Sequence, residues 1–338
     1  MSFVSIGDLA QSLQLRRASG ELQKRQDILT RELSTGRVSD RAAAVQGDQR
    51  AVSAIERSIT ILRSQATAAA EASLFAATMQ TALGTAQDAA DTLAPDLLSA
   101  SSMKAPPQVD ALAAAGRGRF DAVVAALNAQ AAGRYVLSGT ATDSVPLAPA
   151  ADILASIEAA TAGLVTVADI RSAVAGWFDA PAGGGGFLDL AYGGNAAPPG
   201  PFPLGEGEAL ALPATASDPA VRDLLRGLAT AALVARGALA GDPAARAQLL
   251  TGAGRTIADA GGRIVALRAE IGVAEERIAA ATTRIASEDS ALRIARSGLV
   301  EVDPYETASA LTQVETQIET LYALTVRMSR LSLTDWLR

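Results

Sequence analysis

The chain has 338 residues, a formal charge of −7 from 29 basic and 36 acidic side chains, and an apolar content of 49 % with only 4 % aromatics. That balance excludes a chain disordered throughout, leaves room for more than one domain, and favours helices packed through Ala, Leu and Ile. Without cysteine or histidine, the chain has no disulfides, Cys- or His-built zinc sites, His-ligated haem or Ser-His and Cys-His catalytic pairs. The acidic balance argues against general nucleic-acid binding.

The start, Met1-Ser2-Phe3-Val4-Ser5-Ile6-Gly7-Asp8, lacks a basic stretch followed by an apolar one. No apolar run reaches membrane-spanning length. The expectation is a chain without membrane insertion that stays in the cytoplasm or is exported without a cleavable signal peptide.

From about Asp8 to Leu33, Leu15, Leu22 and Leu29 recur at spacing seven, with Leu33 near the same stripe. This predicts an amphipathic helix that stops at Gly36. Val52, Ile55, Ile59, Leu62, Ala66 and Ala69 then alternate by three and four, continuing more weakly to Leu83. A helix over most of the span from Asp40 to Pro95 would be roughly 75 Å long. Such a helix needs a partner for its seam.

A third helix is predicted from about Gln108 to Ala131, its centre weakened by Gly116 and Gly118. Residues 141–240 hold most of the prolines and the densest glycine. Here Asp152–Ala160 and Val167–Phe178 read as short helices, Phe187–Tyr192 and Ala209–Leu212 as short strands. Asp218-Pro219 opens another helix.

The partner seam follows. Ile264, Leu267, Ile271, Ala274, Ile278, Ala281, Ile285, Glu288, Leu292, Ala295 and Leu299 alternate by three and four without a slip. Asp303-Pro304-Tyr305-Glu306 reads as a fresh helix start. The last helix carries Leu311, Val314, Ile318, Leu321 and Met328. The fold class expected is mainly α: long N- and C-terminal helices in a coiled-coil bundle, with a small inserted α/β domain.

No catalytic, cofactor-binding or metal-binding residue stands out, and no enzyme activity is expected. The run Gly183–Gly186 lacks the Lys-Ser/Thr of a phosphate loop and reads as a flexible surface turn. Glu275-Glu276 and Glu288-Asp289 read as solvated helix faces, with Glu288 able to set register or pair with an arginine.

Three segments carry a family resemblance. Arg31-Glu32-Leu33-Ser34-Thr35-Gly36-Arg37-Val38-Ser39-Asp40 is similar to a signature after the first helix of bacterial flagellar axial proteins. Asn128 to Thr140, with Gly133-Arg134-Tyr135-Val136-Leu137-Ser138-Gly139-Thr140, resembles a second motif, and Leu331-Ser332-Leu333-Thr334-Asp335-Trp336-Leu337 a third. Together they resemble the hook-associated, hook–filament junction family. Departures are Arg41-Ala42 in place of the family's Asp-Pro, and a middle without close likeness. Flagellin shares the flank architecture, and a coiled-coil adaptor is the third reading.

The resemblance implies a terminal coiled-coil domain from 1–40 plus 304–338, a rod-like bundle from 41–140 plus 241–303, and an outward-facing insert at 141–240. It implies assembly through Leu15, Leu22, Leu29, Leu33, Leu311, Val314, Ile318, Leu321, Met328, Leu331 and Leu333. The bundle seam would be Val52, Ile55, Ile59, Leu62, Ile264, Leu267, Ile271, Ile278, Ile285 and Leu292. Expected partners are the hook-side junction protein, flagellin, further copies of the chain and an export chaperone. Expected localisation is the extracellular flagellum, reached by type III export and required for motility.

Overall fold

The computed structural model describes residues 6–40, 49–102 and 105–336, with the side chains of 6–9, 11, 12 and 328–336 outside the description. Its elements are α1 (Ile6–Thr35), α2 (Arg50–Leu98), α3 (Pro106–Leu127), β1 (Gln130–Ala131), β2 (Arg134–Tyr135), α4 (Ala150–Ala160), α5 (Val167–Asp179), α6 (Phe187–Leu190), β3 (Phe202–Gly205), β4 (Glu208–Leu210), α7 (Pro219–Ala235), α8 (Pro243–Val300) and α9 (Pro304–Trp336). The fold is mainly α, a helical bundle with a small insert and two two-stranded antiparallel sheets. The chain forms two compact units. One takes the chain up to Arg63 and from Ser287 onward; the other is Ser64–Ala286.

In the second unit, α2 and α8 pack along heptad seams. On α2, Ala69, Ala72, Ala76, Met79, Leu83, Ala86, Ala90, Leu93 and Leu97 are buried at alternating threes and fours. The seam that reads as fading in sequence therefore continues to the end of the helix. Alanine carries it, because two backbones in close approach leave no room for larger side chains. Ala66, expected on the stripe, is exposed, and Gln65 takes the half-buried place beside it. On α8 the seam likewise begins earlier than expected, with buried Leu250, Ala253, Ile257 and Ala260 leading into Ile264.

A polar clamp fixes the register between these helices. Arg268 donates from Nε to Gln80 Oε1 at 3.0 Å and from an η nitrogen to Gln87 Oε1, while Gln80 Nε2 donates to the Arg268 carbonyl at 2.8 Å. Sliding α8 by one turn would leave three half-buried polar groups without partners.

The helix expected to reach Ala131 ends at Leu127. The Asn128 side chain bonds the Leu147 backbone in both directions, accepting its N–H at 2.8 Å and donating to its carbonyl at 2.9 Å. That peptide mimicry draws the chain out of the helix. The hairpin β1–β2 follows, turning through Ala132 and Gly133, both at positive φ. Two such residues match the twist of a two-residue hairpin. Gly116, expected to weaken α3, permits its contact with α7: a Cβ there would lie 2.6 Å from that of Ala231.

Phe187–Tyr192, expected as a strand, is the short helix α6 followed by a single bridge between Leu147 and Tyr192. The helical turn carries Asp189 back over the glycine run, where its carboxylate accepts the N–H groups of Gly183 at 2.8 Å and Gly185 at 2.7 Å. It also buries Phe187 against Phe178, with ring centroids 5.5 Å apart. The glycine run is therefore held by a side chain and is not a free turn. The strand expected at Ala209–Leu212 is β4, shifted to Glu208–Leu210, and its partner β3 had no expectation.

The Gly183 and Gly185 bonds lower the Asp189 pKa from the ordinary 3.8. A depressed carboxylate contributes stability that is complete above the unfolded value and is lost as pH falls through the folded one. Asp189→Asn is expected to lower the melting temperature at neutral pH, with the gap to the parent narrowing as pH drops towards 3. Thermal melts at a series of pH values check this; a gap that widens in acid refutes it.

Candidate assembly interface

In the first unit α1 packs against α9. The turn after α1 is closed from three sides. The Gly36 N–H bonds the Glu32 carbonyl at 2.7 Å, and the Ser39 N–H bonds the Glu32 carboxylate at 2.7 Å. The Val38 N–H bonds the Val300 carbonyl at 3.0 Å, and the Val302 N–H bonds the Gly36 carbonyl at 3.2 Å. The segment from Arg31 to Ser39 thus joins the end of α1 to the connection between α8 and α9. Asp303 starts α9 as read from sequence, its carboxylate accepting the Tyr305 N–H at 2.7 Å.

Of the proposed assembly residues, Val314 is buried at 3 % exposure. Leu15, Leu22, Leu29, Leu311, Ile318 and Leu321 are half-buried, and Leu33 is exposed. The side chains of Met328, Leu331 and Leu333 lie outside the described residues. Gln23 Nε2 donates to the Tyr322 hydroxyl at 3.2 Å across the pair. The pair therefore covers its stripe only partly. Leu22, Leu321 and Leu324 line an open groove of about 300 Å³ together with Thr316, Gln317 and Thr320.

Sequence periodicity passed over a second apolar set. Ile28, Leu324 and Val326 are 45–52 % exposed, and Tyr305 is more open still. They sit off the heptad stripe, so a search for one seam does not collect them. Isolated exposed apolar residues are ordinary on a protein surface; several on one helix pair are not.

Among the bundle-seam residues, Ile264, Leu267, Ile271, Ile278 and Ile285 are buried in the second unit. In the first unit Ile59 and Leu62 are buried, while Val52, Ile55 and Leu292 are half-buried. Glu288 is exposed, and beside it in sequence Asp289 pairs with Arg293.

The Gly133–Thr140 motif lies in the second unit as a backbone hub. Arg134 pairs with Glu71 and covers the Phe75 ring, its guanidinium carbon 4.6 Å from the centroid. The Leu137 carbonyl accepts the Ala216 N–H at 2.8 Å, the Ser138 carbonyl accepts that of Asn195 at 2.8 Å, and the Thr140 N–H donates to Ala197 at 3.0 Å. The motif thereby ties α2 to two loops of the insert.

Among the described residues, no group of three or more Asp or Glu side chains is placed to hold a metal ion, and no helix is long and apolar enough to cross a membrane. Residues 255–337 match the family model of the bacterial flagellin C-terminal helical region. The match takes in α8 from Arg255 onward and the whole of α9. It supports a flagellin-related protein and a flagellar structural subunit, a non-enzymatic type. No curated protein matches the chain.

Proposed function

We propose that the chain is a structural subunit of the bacterial flagellum that joins hook to filament and is required for motility. One observation carries the assembly part: the helices at the two ends of the chain pair and leave apolar side chains open beside their shared stripe. Burying about ten such side chains would gain roughly 1.5–3 kcal/mol each before the ordering cost is subtracted. The resemblance of Gly133–Thr140 and of the Leu331–Leu337 ending to junction proteins supports the junction assignment.

In this reading 1–40 plus 304–338 form the assembling domain, 41–140 plus 241–303 the rod, and 141–240 the outward insert. The subunit leaves the cell unfolded by type III export, with a chaperone covering its terminal stripes. It contacts the hook-side junction protein, flagellin and its own copies. A second reading, flagellin itself, is favoured by the family whose model matches residues 255–337.

Deletion of the gene separates the two. The junction reading expects bare hooks by electron microscopy and intact flagellin in the spent medium. Hooks that still carry their caps or other junction proteins, with no flagellin anywhere, point to the filament subunit instead. Normal flagella overturn both.

A further inference from the structure

In the second unit α5, α7 and α8 line an open cavity of about 440 Å³, within the usual range of small-ligand sites. Its polar lining is Arg171 and Ser172 from α5, Arg226 and Thr230 from α7, and Thr256 from α8; alanine and glycine make up the rest. No carboxylate lines it. In a chain of net charge −7, two guanidiniums line this one cavity.

The two arginines differ. Arg226 is held by Asp223 at 2.7 Å and Asp179 at 3.2 Å, which neutralise it and fix its plane. Arg171 has no ion pair among the described residues. Its side chain passes beside Gly252, where a Cβ would lie 3.4 Å from its Nε. One guanidinium without an ion pair among the described residues therefore lines the cavity, and its planar fork of donors is the group that holds a carboxylate or phosphate through two bonds.

The hydroxyls complete the pattern. Thr230 donates to the Arg226 carbonyl at 2.7 Å and Thr256 to the Gly252 carbonyl at 3.2 Å, so each offers the cavity lone pairs and not a proton. They suit the hydroxyl hydrogens of a ligand. The small walls leave room for a saturated ring.

We propose that this cavity binds an acidic sugar of monosaccharide size, its carboxylate or phosphate on Arg171 and its hydroxyls on Thr230 and Thr256. The site is independent of assembly, and the test uses the unassembled full chain, so its failure leaves the flagellar reading untouched. Calorimetric titration with D-glucuronate, glucose 6-phosphate and neutral glucose is expected to show saturable binding of the two acids and none of glucose. Arg171→Ala should weaken both acids at least about tenfold, the loss of one charge-assisted contact. Arg171→Lys, which keeps the charge and loses the fork, should fall between. Thr230→Val with Thr256→Val should weaken glucuronate while inorganic phosphate, which needs only Arg171, binds as before. Arg171 is exposed, so the two Arg171 variants keep the parent melting temperature. No binding of either acid at roughly 10 mM, or equal affinity in Arg171→Ala, overturns the proposal. Equal loss of phosphate in the threonine pair overturns the sugar assignment.

Discussion

Replacing Gly139 with alanine is expected to destabilise the second unit by at least about 3 kcal/mol, large for one methyl group. Gly139 has φ +66, and a Cβ there would lie 1.9 Å from the Asn195 carbonyl oxygen and 2.4 Å from that of Ala197. The left-handed backbone alone costs an alanine about 1–2 kcal/mol. The larger part comes from the loop that must retreat. Its two bonds to the motif, Asn195 N–H to Ser138 and Ala197 carbonyl to Thr140, are worth about 0.5–1.5 kcal/mol each, and breaking the first leaves the carbonyl of buried Ser138 without its partner. Urea denaturation measures the change. Gly118→Ala is the control, since a Cβ at that exposed helical position meets nothing within 4 Å; it should stabilise by about 0.5–1 kcal/mol. A Gly139→Ala loss below about 1 kcal/mol would show that the 193–197 loop yields freely.

Val314→Asp is expected to separate α1 from α9 while leaving the second unit folded. Val314 is the best-buried of the described assembly residues, and among these residues α9 offers it no basic neighbour one turn away on either side. An uncompensated carboxylate there costs several kcal/mol, about the stability such a helix pair can offer. Hydrogen exchange should become fast along α1 and α9 and stay slow from Ala69 to Leu97. Leu324→Asp is the companion variant. Leu324 is 49 % exposed, so its exchange profile should match the parent. On the flagellar reading both variants abolish motility, the first by unfolding the pair and the second by spoiling a face it presents to neighbours. A motile Leu324→Asp strain removes that face from the interface.

The two long helices of the second unit were legible where their stripes use Ile and Leu. Ile264 to Ile285 showed a period no other structure explains, and Asp303-Pro304 announced its helix through local capping chemistry. The alanine half of α2 was not legible to the same degree. Alanine is common on exposed and buried helix faces alike, so Ala76, Ala86 and Ala90 carry little periodic signal although each is buried. On the candidate interface, the half-buried Leu15, Leu22 and Leu29 were readable from spacing seven. Ile28, Leu324 and Tyr305 were not, since nothing local distinguishes an apolar residue that packs inward from one left open.

The sequence by itself determined the helices, their caps and the absence of thiol and imidazole chemistry, because capping, periodicity and side-chain inventory act within a few residues. Only the tertiary structure decided what the insert does with its chain. Phe187–Leu190 has a strand-like composition, yet it turns helical because a buried ring and a carboxylate over two glycine N–H groups outweigh weak local preference. The hub at Gly139, the clamp at Arg268 and the cavity beside Arg171 each join residues dozens to hundreds of positions apart. Their energy lies in contacts across that distance, and no spacing within the chain encodes them.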